Sequence, residues 1–283
     1  MMYVVTGATG QLGRLVVEGL LAKVPAGEVA VAVRSAAKAA DLADRGVGVR
    51  VVDYDRPESL ADAFAAGDRV LLISGSEVGR RIPQHRAVVD AARAAGVALL
   101  AYTSAPGAAT FRLADEHKET EAAIRESGVP FALLRNGWYT ENYLGDAAGT
   151  AARGAVIGSA GQGRVASAPR RDYADAAVAV LLGEGHENRV YELSGDTAWS
   201  LAELAAELAE VSGRSVEHRD VTPAEHREVL VGAGLPEGFA EILVDVDAGI
   251  ARGELAGTPG DLARLIGRPT TPLAESVRAA LGA

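Results

Sequence analysis

The 283-residue chain contains no cysteine. That excludes disulfides, thiolate metal sites, iron–sulfur clusters and a cysteine nucleophile, and it gives no support to a secreted, disulfide-stapled scaffold. No metal site is expected. The chain also lacks basic charge: 28 Lys and Arg stand against 38 Asp and Glu, for a formal net charge of −10. The resulting pI near 5.1 is the wrong side of neutrality for a nucleic-acid partner. No apolar run approaches the roughly 18 residues that a membrane span needs. No basic stretch followed by an apolar core precedes the first apolar segment at Met2, so the expectation is a soluble, cytoplasmic protein without a leader. With 48% hydrophobic and 23% charged residues, the composition is that of an ordinary globular protein. The length suffices for one large domain or for a domain with an appendage.

What is present starts at the N-terminus. Met2–Thr6 is a short apolar run of β character, and Gly7-Ala8-Thr9-Gly10-Gln11-Leu12-Gly13 follows at once. A helical pattern (Leu12, Leu15, Val16, Gly19, Leu20) comes next. Strand, glycine turn and helix in this order are the layout of a dinucleotide-binding βαβ unit. Gly7 allows the tight turn, Gly10 lets the backbone approach a pyrophosphate, and Gly13 lets the helix pack closely on the strand. The helix start offers free N–H groups and a positive dipole end to phosphates.

Strands and helices then alternate. Strand candidates are Met2–Thr6, Glu28–Arg34, Gly48–Asp53, Arg69–Ser74, Val97–Thr103 and Pro130–Arg135. Helical patterns lie at Leu12–Lys23, Ala37–Arg45, Glu58–Ala66, Arg86–Ala95 and Ala114–Ser127, several of them ending at glycine (Gly46, Gly67, Gly96, Gly128). The strands read as nearly unbroken Val/Leu/Ile runs, as in a parallel sheet covered on both faces. After Arg135 the rhythm changes. Gly137–Thr150 carries aromatics and glycines, and Gly154–Ala168 is rich in Gly, Ser and Ala. A helix pattern at Tyr173–Leu182, a strand at Arg189–Ser194 and a helix at Ser200–Ser212 precede a mostly helical tail. The fold class expected is α/β, a Rossmann-type doubly wound parallel sheet with a smaller, mostly helical C-terminal part. Residues 1–150 form the nucleotide domain, with later segments near 155–195 able to join it, and 151–283 form the smaller substrate part.

The second strand decides the type of dinucleotide. NAD-specific units place an Asp or Glu at its end for the ribose 2′-hydroxyl. Here Val29-Ala30-Val31-Ala32-Val33 ends in Arg34-Ser35, with Lys38 a turn further. A guanidinium pairs with a 2′-phosphate, which a carboxylate would repel, so the coenzyme expected is NADPH. The alternative for Arg34 is a solvated strand end. Asp53-Tyr54 after the third strand flank the adenine or form a solvated turn.

The familiar proton relay of this scaffold, Tyr-x-x-x-Lys on one helix face with a serine nearby, is missing. Ala101-Tyr102-Thr103-Ser104 supplies a serine, but in Leu113-Ala114-Asp115-Glu116-His117 leucine stands where the tyrosine belongs and histidine where the lysine belongs. Alcohol–ketone interconversion is therefore disfavoured. A quinone suits such a site, because it already accepts hydride strongly and its phenolate product is far less basic than an alkoxide. Orientation against the nicotinamide in an apolar site is then the main requirement. His117 either donates to the nicotinamide carboxamide, the ribose or the substrate oxygen, or it is a helix-surface histidine paired with Glu121.

Thr6–Gly13, Leu72–Gly79, Ala101–Ser104, Leu113–His117 and above all Leu134-Arg-Asn-Gly-Trp-Tyr-Thr-Glu-Asn-Tyr143 together resemble the NmrA-like group of atypical short-chain dehydrogenases. Within it the chain looks most similar to flavin-free bacterial NAD(P)H:quinone oxidoreductases. Ala168–Tyr173, Tyr191–Asp196 and Leu265–Thr271 extend the resemblance nearly end to end. It implies NADPH-dependent two-electron reduction of quinones. It also implies coenzyme contacts from Thr6, Gly7, Ala8, Thr9, Gly10, Gln11, Leu12, Gly13, Arg34, Ser74, Gly75, Ser76, Tyr102 and Thr103. The segment Asn136, Gly137, Trp138, Tyr139, Thr140, Glu141 and Asn142 runs beside the nicotinamide, and Arg170 reaches coenzyme or substrate or pairs with Asp172. His117, Tyr139 and Asn142 are the catalytic candidates. Trp138, Tyr139 and Tyr143 form either an aromatic wall against a planar acceptor or core anchors, and Phe111 and Phe239 are candidate lid contacts. Two alternatives stay open: an NADP(H)-binding redox sensor acting through a protein partner, and a reductase of another conjugated acceptor such as a dye. Homo-oligomerisation stays open as well.

Overall fold

The computed structural model describes residues 1–107 and 109–283. In chain order the first half gives β1 (Tyr3–Thr6), α1 (Gln11–Leu21), β2 (Val29–Val33), α2 (Ala40–Ala43), β3 (Gly48–Val51), β4 (Arg69–Leu72), α3 (Arg81–Ala95), β5 (Leu99–Ser104), α4 (Arg112–Ser127) and β6 (Phe131–Asn136). The second half gives α5 (Glu141–Leu144), α6 (Ala147–Arg153), β7 (Ala155–Gly158), α7 (Arg170–Leu182), β8 (Arg189–Leu193), α8 (Leu201–Ser212), β9 (Glu217–Asp220), α9 (Pro223–Gly232), α10 (Glu237–Ala251), α11 (Asp261–Ile266) and α12 (Leu273–Leu281).

Seven strands form one sheet in the order β3-β2-β1-β4-β5-β6-β8. β3 through β6 pair in parallel, with Val5 opposite Val31 on one side and Leu71 on the other. β1 and β2 are buried at every position, because a parallel sheet with helices on both faces leaves no wet side. Val4, Val70, Leu100 and Tyr102 pack with Val88, Val89 and Ala92 of α3 and Ile124 of α4. α1 lies against α7, close enough that a Cβ on Gly19 would fall 2.9 Å from Val178 Cγ2. The strand order runs one way from β1 to β3 and the other way from β4 onward. Chain reversal of this kind opens a crevice at the carboxyl ends of the central strands, where the loops after β1 and β4 stand side by side.

The chain forms two compact units: Met1–Ala105, Glu116–Asn136 and Arg170–Glu192 make the first, and Pro106–Asp115, Gly137–Pro169 and Leu193–Ala283 make the second. The first unit takes a later segment within the 155–195 stretch, as allowed for, but gives up residues 137–150. Residues 137–150 belong to the second unit, and α7 with most of β8 returns to the first, because the sheet takes β8 beside β6. Two local expectations also differ. Glu58–Ala66 yields only a 3-10 turn at Pro57–Leu60. The Ser59 hydroxyl bonds the Asp53 backbone and the Asp68 carboxylate takes the Ala65 amide, so side chains supply bonds that a longer helix would have made. Within the Gly/Ser/Ala-rich stretch, β7 pairs in parallel with β9 as a two-stranded sheet of the second unit. Gly46, Gly67, Gly96 and Gly128 all take positive φ where their helices or turns end.

Candidate active site

The glycine loop is built for close approach. Gly7 has φ +57°, and the Gly10 amide donates to Gly7 O at 3.0 Å to close the turn. A Cβ on Gly13 would meet the Gly7 carbonyl and lie 2.6 Å from Ala8 Cα, so only glycine lets α1 start this near the strand. Gly10 caps α1 without any side-chain hydrogen bond, and the first turn holds no acidic residue. Gly7, Gly10 and Gln11 are exposed, while Ala8, Leu12 and Gly13 are buried beneath them. The uncapped amides and the positive helix end suit a pyrophosphate.

The loop after β4 is fixed by side chains from three different elements. The Ile73 amide donates to Thr6 Oγ1 of β1 at 3.0 Å, and the Ser74 amide to Thr103 Oγ1 of β5 at 2.9 Å. The Gly75 amide donates to His85 Nε2 of α3 at 3.0 Å. Arg81 Nε donates to the Gly75 carbonyl at 2.6 Å, so both backbone groups of Gly75 are held. Because His85 Nε2 accepts, its Nδ1 carries the proton and faces Thr120 Oγ1 at 3.0 Å, and the Thr120 hydroxyl donates onward to Glu116 O. Burial and then the Arg81 charge push the His85 imidazole down to about 4.

The tyrosine missing from α4 has a counterpart on the strand beneath it. The Tyr102 hydroxyl lies 2.8 Å from His117 Nδ1, and both residues are buried. Burial raises the Tyr102 phenol above its usual range. Burial, with Arg81 and His85 nearby, pushes His117 down to about 3. His117 is thus no surface residue paired with Glu121. Glu121 instead receives Ser104 Oγ at 2.6 Å and two Arg135 nitrogens, at 2.9 and 2.7 Å, while Arg135 also reaches Glu192 at 2.7 Å. Burial alone would raise the Glu121 carboxyl, but the Arg135 and Ser104 bonds outweigh it and hold it below the usual range. Tyr102, expected among the coenzyme contacts, is fully buried in the core, with its hydroxyl against His117. Thr6 and Thr103, also buried, hold the β4 loop through their hydroxyls.

Arg34 stands at the exposed end of β2, and its Nη1 pairs with Glu77 Oε1 at 2.7 Å. Ser74 and Gly75 are half-exposed and Ser76 exposed at the crevice end of β4, and Asn136 is buried at the end of β6. Arg170 opens α7, half-buried. The Asp53 carboxylate accepts from the Asp55 amide and Arg56 Nε in an exposed turn, its backbone amide donates to Ser59 Oγ, and Tyr54 is pushed up to about 12 by burial.

In the second unit, the backbone of Trp138–Thr140 is stitched to residue 168. Ala168 N donates to Trp138 O, and Thr140 N donates to Ala168 O at 3.0 Å. The Thr140 and Ser167 hydroxyls meet at 2.7 Å, and Trp199 Nε1 donates to Ser167 Oγ at 3.1 Å. Trp138, Tyr139 and Glu141 are half-buried, and Asn142 is exposed. Tyr143 takes the anchor role: its ring packs edge-on against Trp199 at 5.1 Å between centroids, with its hydroxyl buried. Phe111 is likewise buried and would touch a Cβ on Gly249, whereas Phe239 is 50% exposed.

Residues 7–184 match the family described as NAD(P)H-binding. The chain belongs to the NAD(P)H-binding family. The NmrA-like resemblance stands with it. Quinone oxidoreductase 2 of Escherichia coli K12 is 50% identical over 98% of this chain and 97% of its own length. The crystal structure of an Escherichia coli NADPH-dependent quinone oxidoreductase in complex with NADPH superposes with a TM-score of 0.96 at 49% identity, covering 99% of this chain and 100% of that one. The triphenylmethane reductase of Citrobacter sp. gives a TM-score of 0.96 at 45% identity and covers 100% of both chains. In this NAD(P)H-binding chain the sequence names the glycine loop, Arg34 and His117 as candidates and Glu121 only as a surface partner of His117; it does not single out His85 or Arg81. His85 was findable, since it shares the helical spacing of Val88, Val89 and Ala92 and so lies on the core face.

Proposed function

We propose that this chain catalyses the NADPH-dependent two-electron reduction of quinones, by direct hydride transfer and without flavin. The glycine loop and the loop after β4 hold the coenzyme, and Trp138–Asn142 are the residues assigned to the acceptor. The observation that carries this reading is the Tyr102–His117 pair. It stands where a proton relay would stand, yet burial keeps the phenol protonated and the imidazole neutral throughout the physiological range. An acceptor that needs a strong general acid is poorly served by such a pair. One that needs only a hydrogen-bond donor for a weakly basic oxyanion is well served.

The coenzyme supplies the hydride. The chain's own residues bind and orient. Gly7 and the uncapped start of α1 offer amides to the pyrophosphate, Gly10 lets it approach by having no side chain, and Thr9, Gln11 and Leu12 lie in the same turn. Arg34 pairs with the 2′-phosphate, and Ser74, Gly75, Ser76 and Asn136 line the sugar–nicotinamide side. His117, Tyr139 and Asn142 are the groups proposed to meet the nicotinamide or the acceptor. Trp138 and Tyr139 offer half-buried rings on a backbone fixed to residue 168, suited to a planar electron-poor molecule by offset stacking.

The likeness to the triphenylmethane reductase supports a second acceptor class, extended cationic dyes, reduced at the same site. Steady-state oxidation of NADPH and of NADH with 1,4-benzoquinone and with a triphenylmethane dye tests both. Turnover with quinone and a preference for NADPH are expected. Tight NADPH binding with no oxidation above background would leave a non-catalytic sensor standing and end the enzyme reading. If His117→Ala leaves turnover intact, a chemical role for His117 is excluded.

A further inference from the structure

Arg34 is not the only charged group at the end of β2. Its Nη1 is 2.7 Å from Glu77 Oε1, and the same carboxylate faces Arg80 Nη1 at 3.5 Å through Oε2. Gln84, itself buried, donates from Nε2 to Glu77 Oε2 and to Asp55 Oδ1, each at 3.2 Å. Arg80 completes the ring with Asp55 at 2.9 Å. Glu77 thus bridges two guanidinium groups with one carboxylate, which is the coordination a phosphate dianion adopts. It follows the stretch whose amides at 73–75 are caught by Thr6, Thr103 and His85, so the loop is anchored beside it and a change at Glu77 falls on its side-chain contacts.

We propose that Glu77 competes with the coenzyme's 2′-phosphate for Arg34 and thereby sets how strongly the chain separates NADPH from NADH. The inference rests on the phosphate role of Arg34 proposed above. A 2′-phosphate at Arg34 must turn Glu77 away, because two anions of like sign cannot share the guanidinium at hydrogen-bond distance without mutual repulsion. NADH makes no such demand: its 2′-hydroxyl can donate to Glu77 while the Arg34 pair persists. Glu77 therefore lowers NADPH affinity while sparing NADH. Once displaced, it leaves Arg80 beside Arg34 as a second cation facing the phosphate.

The test is calorimetric titration of the full chain with NADPH and NADH, for the native protein, Glu77→Gln, Arg34→Ala and the double variant. Glu77→Gln keeps the Gln84 and loop contacts within reach and removes the charge. The expected result is a two- to fivefold lower Kd for NADPH, the range that an exposed ion pair is worth, with NADH unchanged or weaker. In the Arg34→Ala background the Glu77→Gln gain for NADPH should shrink toward nothing, since the competition has lost its object. Unchanged or weakened NADPH binding in Glu77→Gln, with the unfolding midpoint preserved, overturns the inference. So does equal tightening of both coenzymes. Failure of the underlying assignment reads differently: Arg34→Ala would then weaken NADPH and NADH alike.

Discussion

Arg34 and His85 carry opposite kinds of charge problem. Arg34 is exposed at the end of β2, so its contribution is one of recognition. Arg34→Ala should raise the KM for NADPH by ten- to a hundredfold or so, about 1.5–3 kcal/mol for one charge-assisted contact, and that for NADH little; parallel kinetics with the two coenzymes check it. His85 and His117 are buried and kept neutral, at about 4 and about 3 against an ordinary 6.5. The unfolded chain therefore takes up protons at a higher pH than the folded one. Their contribution to stability is complete above pH 6.5 and is lost as the pH falls from 6.5 toward 4 for His85 and toward 3 for His117. For His85 the loss by pH 4 is on the order of 3 kcal/mol. Urea unfolding at pH 7 and pH 4.5 should show it, with a shallower fall in His85→Gln; an identical slope in that variant would remove His85 as the cause.

The β1–loop–α1 unit separates two jobs that glycine does in one turn. Gly10 has ordinary φ, and a Cβ there would meet only the Gly7 carbonyl at 3.2 Å, so Gly10→Ala should fold with a nearly native midpoint while losing coenzyme affinity. Gly13 faces the turn itself, and Gly13→Ala should cost stability, about 1–3 kcal/mol of overpacking, before any ligand is added. Thermal unfolding with and without NADPH distinguishes the two. This unit was fully legible in the sequence, because every position of β1 and β2 is buried and the apolar pattern is unbroken. β9 was not legible. Glu217-His218-Arg219-Asp220 has no apolar alternation to betray a strand, and its pairing with β7 supplies backbone bonds that leave no trace in side-chain pattern. The Tyr102–His117 pair escaped for a related reason: helical spacing rules look along one element, and this contact joins a strand to the helix that follows.

For the molecule as a whole, the chain passes between its units at 105/106, 115/116, 136/137, 169/170 and 192/193. A fragment ending at residue 150 would lack α7, which covers α1, and β8, which pairs beside β6. Such a fragment should show no cooperative unfolding and no NADPH binding, as followed by near-ultraviolet circular dichroism and fluorescence. In the intact chain NADPH should raise the unfolding free energy by about 2.7 kcal/mol at a hundredfold excess over Kd. Discontinuity of this kind is also why composition and a shift of rhythm after Arg135 hinted at a second body without locating its edges: segment boundaries depend on which strand pairs with which.

The three amides that follow β4 find their acceptors on β1, β5 and α3. An Ile73–Arg80 stretch moved from this chain into another reductase would therefore carry its donors but leave Thr6, Thr103 and His85 behind. Engineers who wish to exchange coenzyme preference among such reductases will have to move those distant partners together with the loop, or accept a graft that wanders.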